Sequence, residues 1–264
     1  FDYKKNQLLW AKNYKIPFRS NLKIVGNKLI AANQNNDLYF FDKNSGDILK
    51  MIPTEESTVK NEFVNNISSN LKYTIFLNTY GSLYGIDNTS MRIIWFLNLN
   101  QSLDLNPSNL FLGSQVIQDK NVSVITSNQF TYIIDSNSGK IKLKKNFASK
   151  IKPIIINDYL FSVSNTNLLI ATELKNGKII YSYDIDKKIA NYLDTKKRKS
   201  DIKDIMIVNN KIMLFLKNSY VLKFSIKGNL DELYKLPSKI SSNPMIVNGS
   251  LIYLDFKNKI SIIN

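Results

Sequence analysis

The 264-residue sequence contains no cysteine and no histidine. The first absence excludes disulfides and thiolate metal sites, and the second removes the usual imidazole base and the usual haem and zinc ligand. Catalytic triads built on a histidine base go with them. A cysteine-free chain suits oxidising and reducing compartments alike, so redox location is not legible. Proline and glycine are scarce, at 6 and 9 residues. Turns must therefore use Asn, Asp and Ser, which bond to their own backbone and tolerate the left-handed conformation. No apolar run approaches the ~18 residues of a membrane-spanning helix. No secretory leader is visible, and a chain beginning at Phe1 predicts that a segment upstream has been removed.

Arginine is the last scarcity. Of 36 basic residues only Arg19, Arg92 and Arg198 are arginine, against 21 acidic residues, for a net charge of +15. Such a charge suits nucleic acid through counterion release. Bidentate phosphate and base contacts favour arginine, however, and the lysines here are spread along the chain beside Asn and Ile. The charge reads as solvated surface, and no nucleic-acid partner is expected. With 44% hydrophobic and 22% charged residues the chain can bury a sizeable core.

What is present is a phrase that returns. "DLYFFDKNSGDILK", from Asp37, is echoed by "TYIIDSNSGKIKL", from Thr131. Asp42, Asp87, Asp135 and Glu173 each end a strand-like run, followed more loosely by Ser225 and Asn264, at successive spacings of 45, 48, 38, 52 and 39 residues. Such periods are those of propeller blades, each a four-stranded sheet. A second landmark keeps the same register. "VGNKL", "INDYL", "VNNKI" and "VNGSL" read as two-residue hairpin turns, and each second turn residue lies 15 positions before its strand end. In the first unit "LKIV", "KLIAA", "DLYFF" and "DILKMI" become four successive strands. The predicted fold class is all-β, a propeller of four-stranded antiparallel blades, with residues 1–264 one domain.

The Asp-x-x-Ser-Gly phrase is then the hairpin between the third and fourth strands. Asp42 accepts from amides two or three residues on, Ser45 does so more weakly, and Gly46 supplies the left-handed residue of a bulged turn. It is a turn code and carries no reactive group. Four residues past the glycine position stand Trp10, Lys50, Trp95, Leu143 and Tyr181. A large aromatic there is expected to pack between neighbouring sheets with its N–H bonded.

Asp-x-x-Ser/Thr-Gly-x-x-x-Trp closing a blade resembles the tryptophan-docking motif of the pyrroloquinoline-quinone-like repeat propellers. It stands here as Asp42, Ser45 and Gly46, as Asp135, Ser138 and Gly139, and as Asp87 with Trp95, with Trp10 in the aromatic place of the amino terminus. The resemblance covers essentially the whole chain. One branch of that family, the quinoprotein dehydrogenases, binds quinone and Ca²⁺ through an Asp base, Glu and Asn ligands and often a vicinal disulfide. No acidic cluster of that kind is apparent here, and the disulfide is impossible. The other branch, similar to the BamB lipoproteins, is free of cofactor. It implies a non-catalytic scaffold for protein partners of the outer-membrane β-barrel assembly machinery of Gram-negative bacteria, periplasmic and associated with the outer membrane through an upstream anchor. No catalytic residue, cofactor or metal is therefore expected. The competing readings are a fragment of a quinone-dependent dehydrogenase and an extracytoplasmic binding propeller.

"NQLLWAKNY" aligns as a fourth strand without its first three, and the carboxyl terminus supplies three strands without a fourth. Joined, they would complete one blade and hide its edges. Five whole blades and one shared make six. The resemblance implies eight, and a fragment of an eight-bladed ring, truncated at its amino terminus, is the preferred reading.

The longest spacing contains "DKKIANYLDTKKRKSD", Asp186 to Asp201. Ile189, Tyr192 and Leu193 recur at helical spacing, so a short helix or ordered loop over one rim is expected. The cations Lys196, Lys197, Arg198 and Lys199 follow, as the candidate partner-binding residues. The plain alternative is a solvated connection. "NQSLDLNPSNL", Asn100 to Leu110, is a second insertion with the same two readings.

Overall fold

The computed structural model describes residues 1–264 except 3, 57–65, 101–110, 112, 114, 128 and 264. Two compact units divide the chain, Phe1–Asn146 and Phe147–Asn264. The first holds three four-stranded antiparallel sheets. They are β1 (Lys23–Val25), β2 (Lys28–Ala32), β3 (Leu38–Asp42) and β4 (Ile48–Ile52); β5 (Asn66–Ser69), β6 (Tyr73–Leu77), β7 (Ser82–Asp87) and β8 (Arg92–Asn98); and β9 (Ile117–Asp119), β10 (Val122–Thr126), β11 (Thr131–Asp135) and β12 (Ile141–Lys145). In each, strands pair in chain order.

The second unit repeats the plan. It holds β13 (Ile154–Ile156), β14 (Tyr159–Val163), β15 (Leu168–Glu173) and β16 (Ile179–Asp184), then a helix, α1 (Ile185–Leu193). A sheet of β17 (Ile202–Val208), β18 (Lys211–Leu216), β19 (Tyr220–Ser225) and β20 (Leu230–Lys235) follows, and a three-stranded sheet of β21 (Met245–Val247), β22 (Ser250–Leu254) and β23 (Ile260–Ile263). No helix among the described residues is long and apolar enough to cross a membrane. These are propeller blades, and the fold class is a β-propeller.

In the four-stranded sheets, inner strands such as β6 lack the alternation of a half-buried strand because both of their faces are covered. In β6 all five residues are buried. Phe76 points into a core shared with Ile30, Phe40 and Ile86, while Ile75 and Leu77 point into another, shared with Ile125, Tyr132 and Ile134. Likewise Phe215 of β18 joins Val221, Leu251 and Tyr253, while Leu214 and Leu216 join Phe161, Leu169 and Phe224. A short continuous apolar run is the sequence signature of such a strand. Each large side chain sealed this way contributes about 1.5–3 kcal/mol.

Turn chemistry fixes the register. Asn209 and Asn210 have φ of 48° and 57°, and Asn248 and Gly249 51° and 84°, both central residues left-handed as a two-residue hairpin demands. A register shift interrupts the pairing of third and fourth strands at the same place in five sheets, for example between Phe40 and Phe41 and between Gly85 and Ile86. One extra residue there turns the chain into the Asp-x-x-Ser-Gly hairpin.

The amino terminus departs from expectation. Asp2 to Asn6 does reproduce the hairpin turn: Asp2 accepts from the amides of Lys4 and Lys5 at 3.0 and 3.2 Å, and Asn6 has φ 50°. Residues 6–14, expected as the fourth strand of the carboxyl-terminal sheet, form none of the strands of the described sheets, and that sheet has three. Side chains hold this segment instead. Tyr14 donates to the Gly46 carbonyl at 3.2 Å, Lys12 pairs with Asp47, and the Tyr14 and Phe18 rings pack on Phe41.

Candidate functional site

The aspartates that end the third strands are consumed by their own turns. Asp42 Oδ1 accepts from the amides of Asn44 and Ser45 at 2.8 and 3.0 Å. Asp135 Oδ1 accepts from those of Asn137 and Ser138, both at 3.1 Å. Asp87 Oδ1 accepts from the amide and hydroxyl of Ser90 at 2.7 and 2.8 Å. The amides of Ser45 and Asn44 hold Asp42 below the usual carboxylate range, and that of Ser90 does the same for Asp87. For Asp135 the leading cause is the Lys142 ammonium, 2.9 Å away, followed by the Ser138 hydroxyl and amide. Three carboxylates held in three separate turns do not converge on a common site. Ser45 is equally local, accepting from the Asp47 amide at 3.2 Å and donating to its carboxylate at 2.6 Å.

The glycines of these turns serve the neighbouring aromatics. Trp95 of β8 lies across Gly85 of its own sheet and over Gly139 of the next. Its Nε1 donates to the Ser136 carbonyl at 2.9 Å. A Cβ on Gly85 would stand 2.1 Å from the indole, and one on Gly139 2.6 Å. Trp10 repeats the arrangement, with Nε1 on the Lys43 carbonyl at 2.9 Å and Gly46 beneath its ring. In the second unit Tyr181 and Tyr183, stacked at 5.0 Å, cover Gly228, and Tyr181 donates to the Ile226 carbonyl at 2.9 Å. Burial pushes the Tyr181 phenol up. These residues fasten one sheet to the next.

The insertion after β16 forms α1. Asp184 caps it by accepting from the Lys187 amide at 2.9 Å, and Asp194, at φ 50°, ends it. Ile185 is fully buried and Ile189 packs on the sheet core, while Tyr192 and Leu193 stay exposed. Beyond the helix the chain is pinned. Buried Asp186 accepts from the Asn167 side-chain amide at 3.2 and 3.0 Å and from the Ser200 amide at 2.9 Å. Asn167 Nδ2 also donates to the Ser200 carbonyl at 2.8 Å. A carboxylate buried against water is tolerable only when satisfied in this way, and it makes the insertion a built element.

The pinned loop walls a groove of about 890 Å³. Its apolar lining is Ile189, Leu193, Leu216, Tyr220, Leu233 and Phe256. The same lining carries Lys196, Arg198, Lys199, Lys217 and Lys239. Lys217 pairs with Asp201 at 2.8 Å, but none of the ion pairs among the described residues involves Lys196, Arg198, Lys199 or Lys239. The four candidate cations thus divide. Lys196, Arg198 and Lys199 face the groove, whereas Lys197 turns back to the helix cap, 2.5 Å from Asp184. That contact raises the Lys197 ammonium and lowers the Asp184 carboxyl. Sequence reasoning missed Lys239, Tyr220 and Phe256, which come from turns and strands up to 60 residues from Lys196. Only the turn aromatic in "DFKNK" hinted at an exposed ring. The Asn100 to Leu110 insertion lies outside the described residues beyond Asn100 itself. Among the described residues no three carboxylates converge as metal ligands would.

A family model described as outer membrane protein assembly factor BamB matches residues 1–183. Among solved structures, BamB from Moraxella catarrhalis superposes with a TM-score of 0.69 at 12% identity, over 96% of this chain and 72% of that one. The β-propeller domain of Cps50 (Swd1) from Myceliophteria thermophila superposes with a TM-score of 0.61 at 7% identity, over 97% and 88% of the two chains. At such identities the likeness is one of fold. No curated protein matches the sequence significantly.

Proposed function

Because the chain belongs to the family of outer membrane protein assembly factor BamB, PQQ-like repeat β-propellers, we propose that it is a non-catalytic scaffold that holds protein partners of outer-membrane β-barrel assembly in the periplasm of a Gram-negative cell. The family match over residues 1–183 carries this reading. The repeat chemistry supports it, since the motif aspartates are occupied in their own turns and the glycines and tryptophans in fastening sheets together. Sheet faces packed on neighbours are closed to partners, so contact falls to the strand ends and the loops there. The insertion between β16 and β17 is the best defined of these, with Lys196, Arg198 and Lys199 on its groove side.

The test is capture. The tagged chain, expressed in the periplasm of a Gram-negative host, should co-purify with barrel-assembly proteins, and quinone with Ca²⁺ should neither bind to it nor confer alcohol oxidation. Calcium-dependent quinone binding, or recovery of the chain alone after mild cross-linking, would sink the scaffold reading.

A further inference from the structure

We propose that the groove beneath α1 receives a peptide segment of a partner in which acidic side chains alternate with large apolar ones. The assignment rests on the scaffold reading only in taking the partner to be a protein. The apolar and the cationic parts of the lining ask for different chemistry, and one chain must supply both. Leu193 and Phe256 expose 42% and 63% of their surface, which gives an apolar anchor somewhere to settle. Around them stand Lys196, Arg198, Lys199 and Lys239, whose charge no carboxylate among the described residues neutralises through an ion pair. Both acidic residues of the lining are engaged, Asp186 by Asn167 and Ser200 and Asp201 by Lys217 and Lys150. The groove is thus cationic toward any entrant.

Three alternatives fit less well. A second copy of this chain brings a net charge of +15 to a cationic groove. A phosphate group prefers convergent arginine forks, and the groove holds one arginine among separated lysines. A flat membrane surface cannot enter a concave site. A volume of about 890 Å³ matches sites that enclose several side chains. The pin from Asp186 and Asn167 to Ser200 sets the loop before anything binds, so little ordering entropy is lost on association.

The probe is a short labelled synthetic peptide alternating Asp or Glu with Leu or Phe, titrated with the full chain by fluorescence anisotropy. Two control peptides carry Lys in place of every acid, or Ser in place of every apolar residue. Saturable binding of the first peptide alone is expected, weaker at high salt. Lys196→Glu, Lys199→Glu and Lys239→Glu together should weaken it by roughly tenfold or more. Leu193→Ser with Phe256→Ser should also weaken it, at unchanged thermal midpoint. Equal binding of the lysine peptide, or indifference to the triple reversal, overturns the assignment. So does sedimentation of the chain with phosphatidylglycerol vesicles through the same lysines when the acidic peptide fails to bind. Capture of assembly proteins, measured in parallel, separates the two claims. Capture of assembly proteins by an unaltered chain that does not bind the acidic peptide removes the groove alone, and peptide binding without capture supports the groove while removing the scaffold role.

Discussion

The turn from Asp42 to Gly46 and the turn from Asp87 to Met91 have the same backbone and different neighbours. In both, the last residue donates to the aspartate carbonyl at 2.8 Å, and φ is 73° at Gly46 and 53° at Met91. Trp10 lies on Gly46, whereas the chain position equivalent to Trp10 in the preceding sheet of the second turn is Lys50. Met91 instead packs its side chain on the core around Phe76 and Tyr84. A positive φ therefore does not by itself demand glycine here. Where a ring does come within van der Waals reach of the turn a glycine stands beneath it, in the pairings Trp10 with Gly46, Trp95 with Gly139 and Tyr181 with Gly228.

Gly139→Asn separates conformation from space, because asparagine accepts φ 72° but brings a Cβ to 2.6 Å from Trp95. It should cost about 4 kcal/mol in urea unfolding. Gly26→Asn, at φ 59° with nothing within 4 Å of the added Cβ, should cost under about 1 kcal/mol. Equal costs at the two positions would return the explanation to φ alone.

Trp95→Ala comes next, at about 3 kcal/mol for a half-buried indole that also loses the bond to Ser136. Combined with Gly139→Asn it should cost well below the sum of the two, since each removes the same contact. An additive double variant would mean that ring and glycine do not share an interface.

The second comparison sets these tight turns against the insertion after β16. Asp186→Ala removes the acceptor that holds Asn167 and Ser200, and should cost about 2 kcal/mol. Trypsin should then cut first between Lys196 and Lys199, faster than in the unaltered chain. Unchanged cleavage there would show that the pin is not what orders the loop.

The smallest effects concern pH. Asp42, Asp87 and Asp135 have folded pKa values depressed below the unfolded ones. Their contribution is present above about pH 4 and is lost as pH falls through the folded values. Asp204 of β17 has the opposite sign, its carboxyl raised chiefly by burial. That contribution is lost as pH rises from the unfolded value through the folded one. Asp87→Asn should therefore flatten the acid limb of a stability profile, and Asp204→Asn should raise stability at neutral pH. Opposite signs in thermal melts would contradict the assigned causes.

How much was legible follows from the range of each interaction. Asp-x-x-Ser-Gly is local, since Asp42 bonds to residues two and three positions on, and its geometry could be read at once. The aromatic at Trp95 was legible as packing, but its glycine partners were not, because Gly139 is 44 residues away and sequence spacing does not say which turn a ring will cover. Lys197 shows the same limit at shorter reach. Four consecutive cations read as one patch, yet successive side chains diverge, and Asp184 draws one of them to the helix cap.

Periodicity, the two-residue turns and the strand-ending aspartates determined the blades and their register from sequence alone, because each depends on contacts within a few residues or on a repeat that compounds them. The tertiary structure decided what no window of sequence contains. It set which glycine lies under which ring, that residues 8–14 are held by side chains in the first unit, and that Lys239 and Phe256 close a groove begun by Lys196. Those depend on the order in which sheets stack, and stacking brings together residues whose separation along the chain has no bearing on their distance in space.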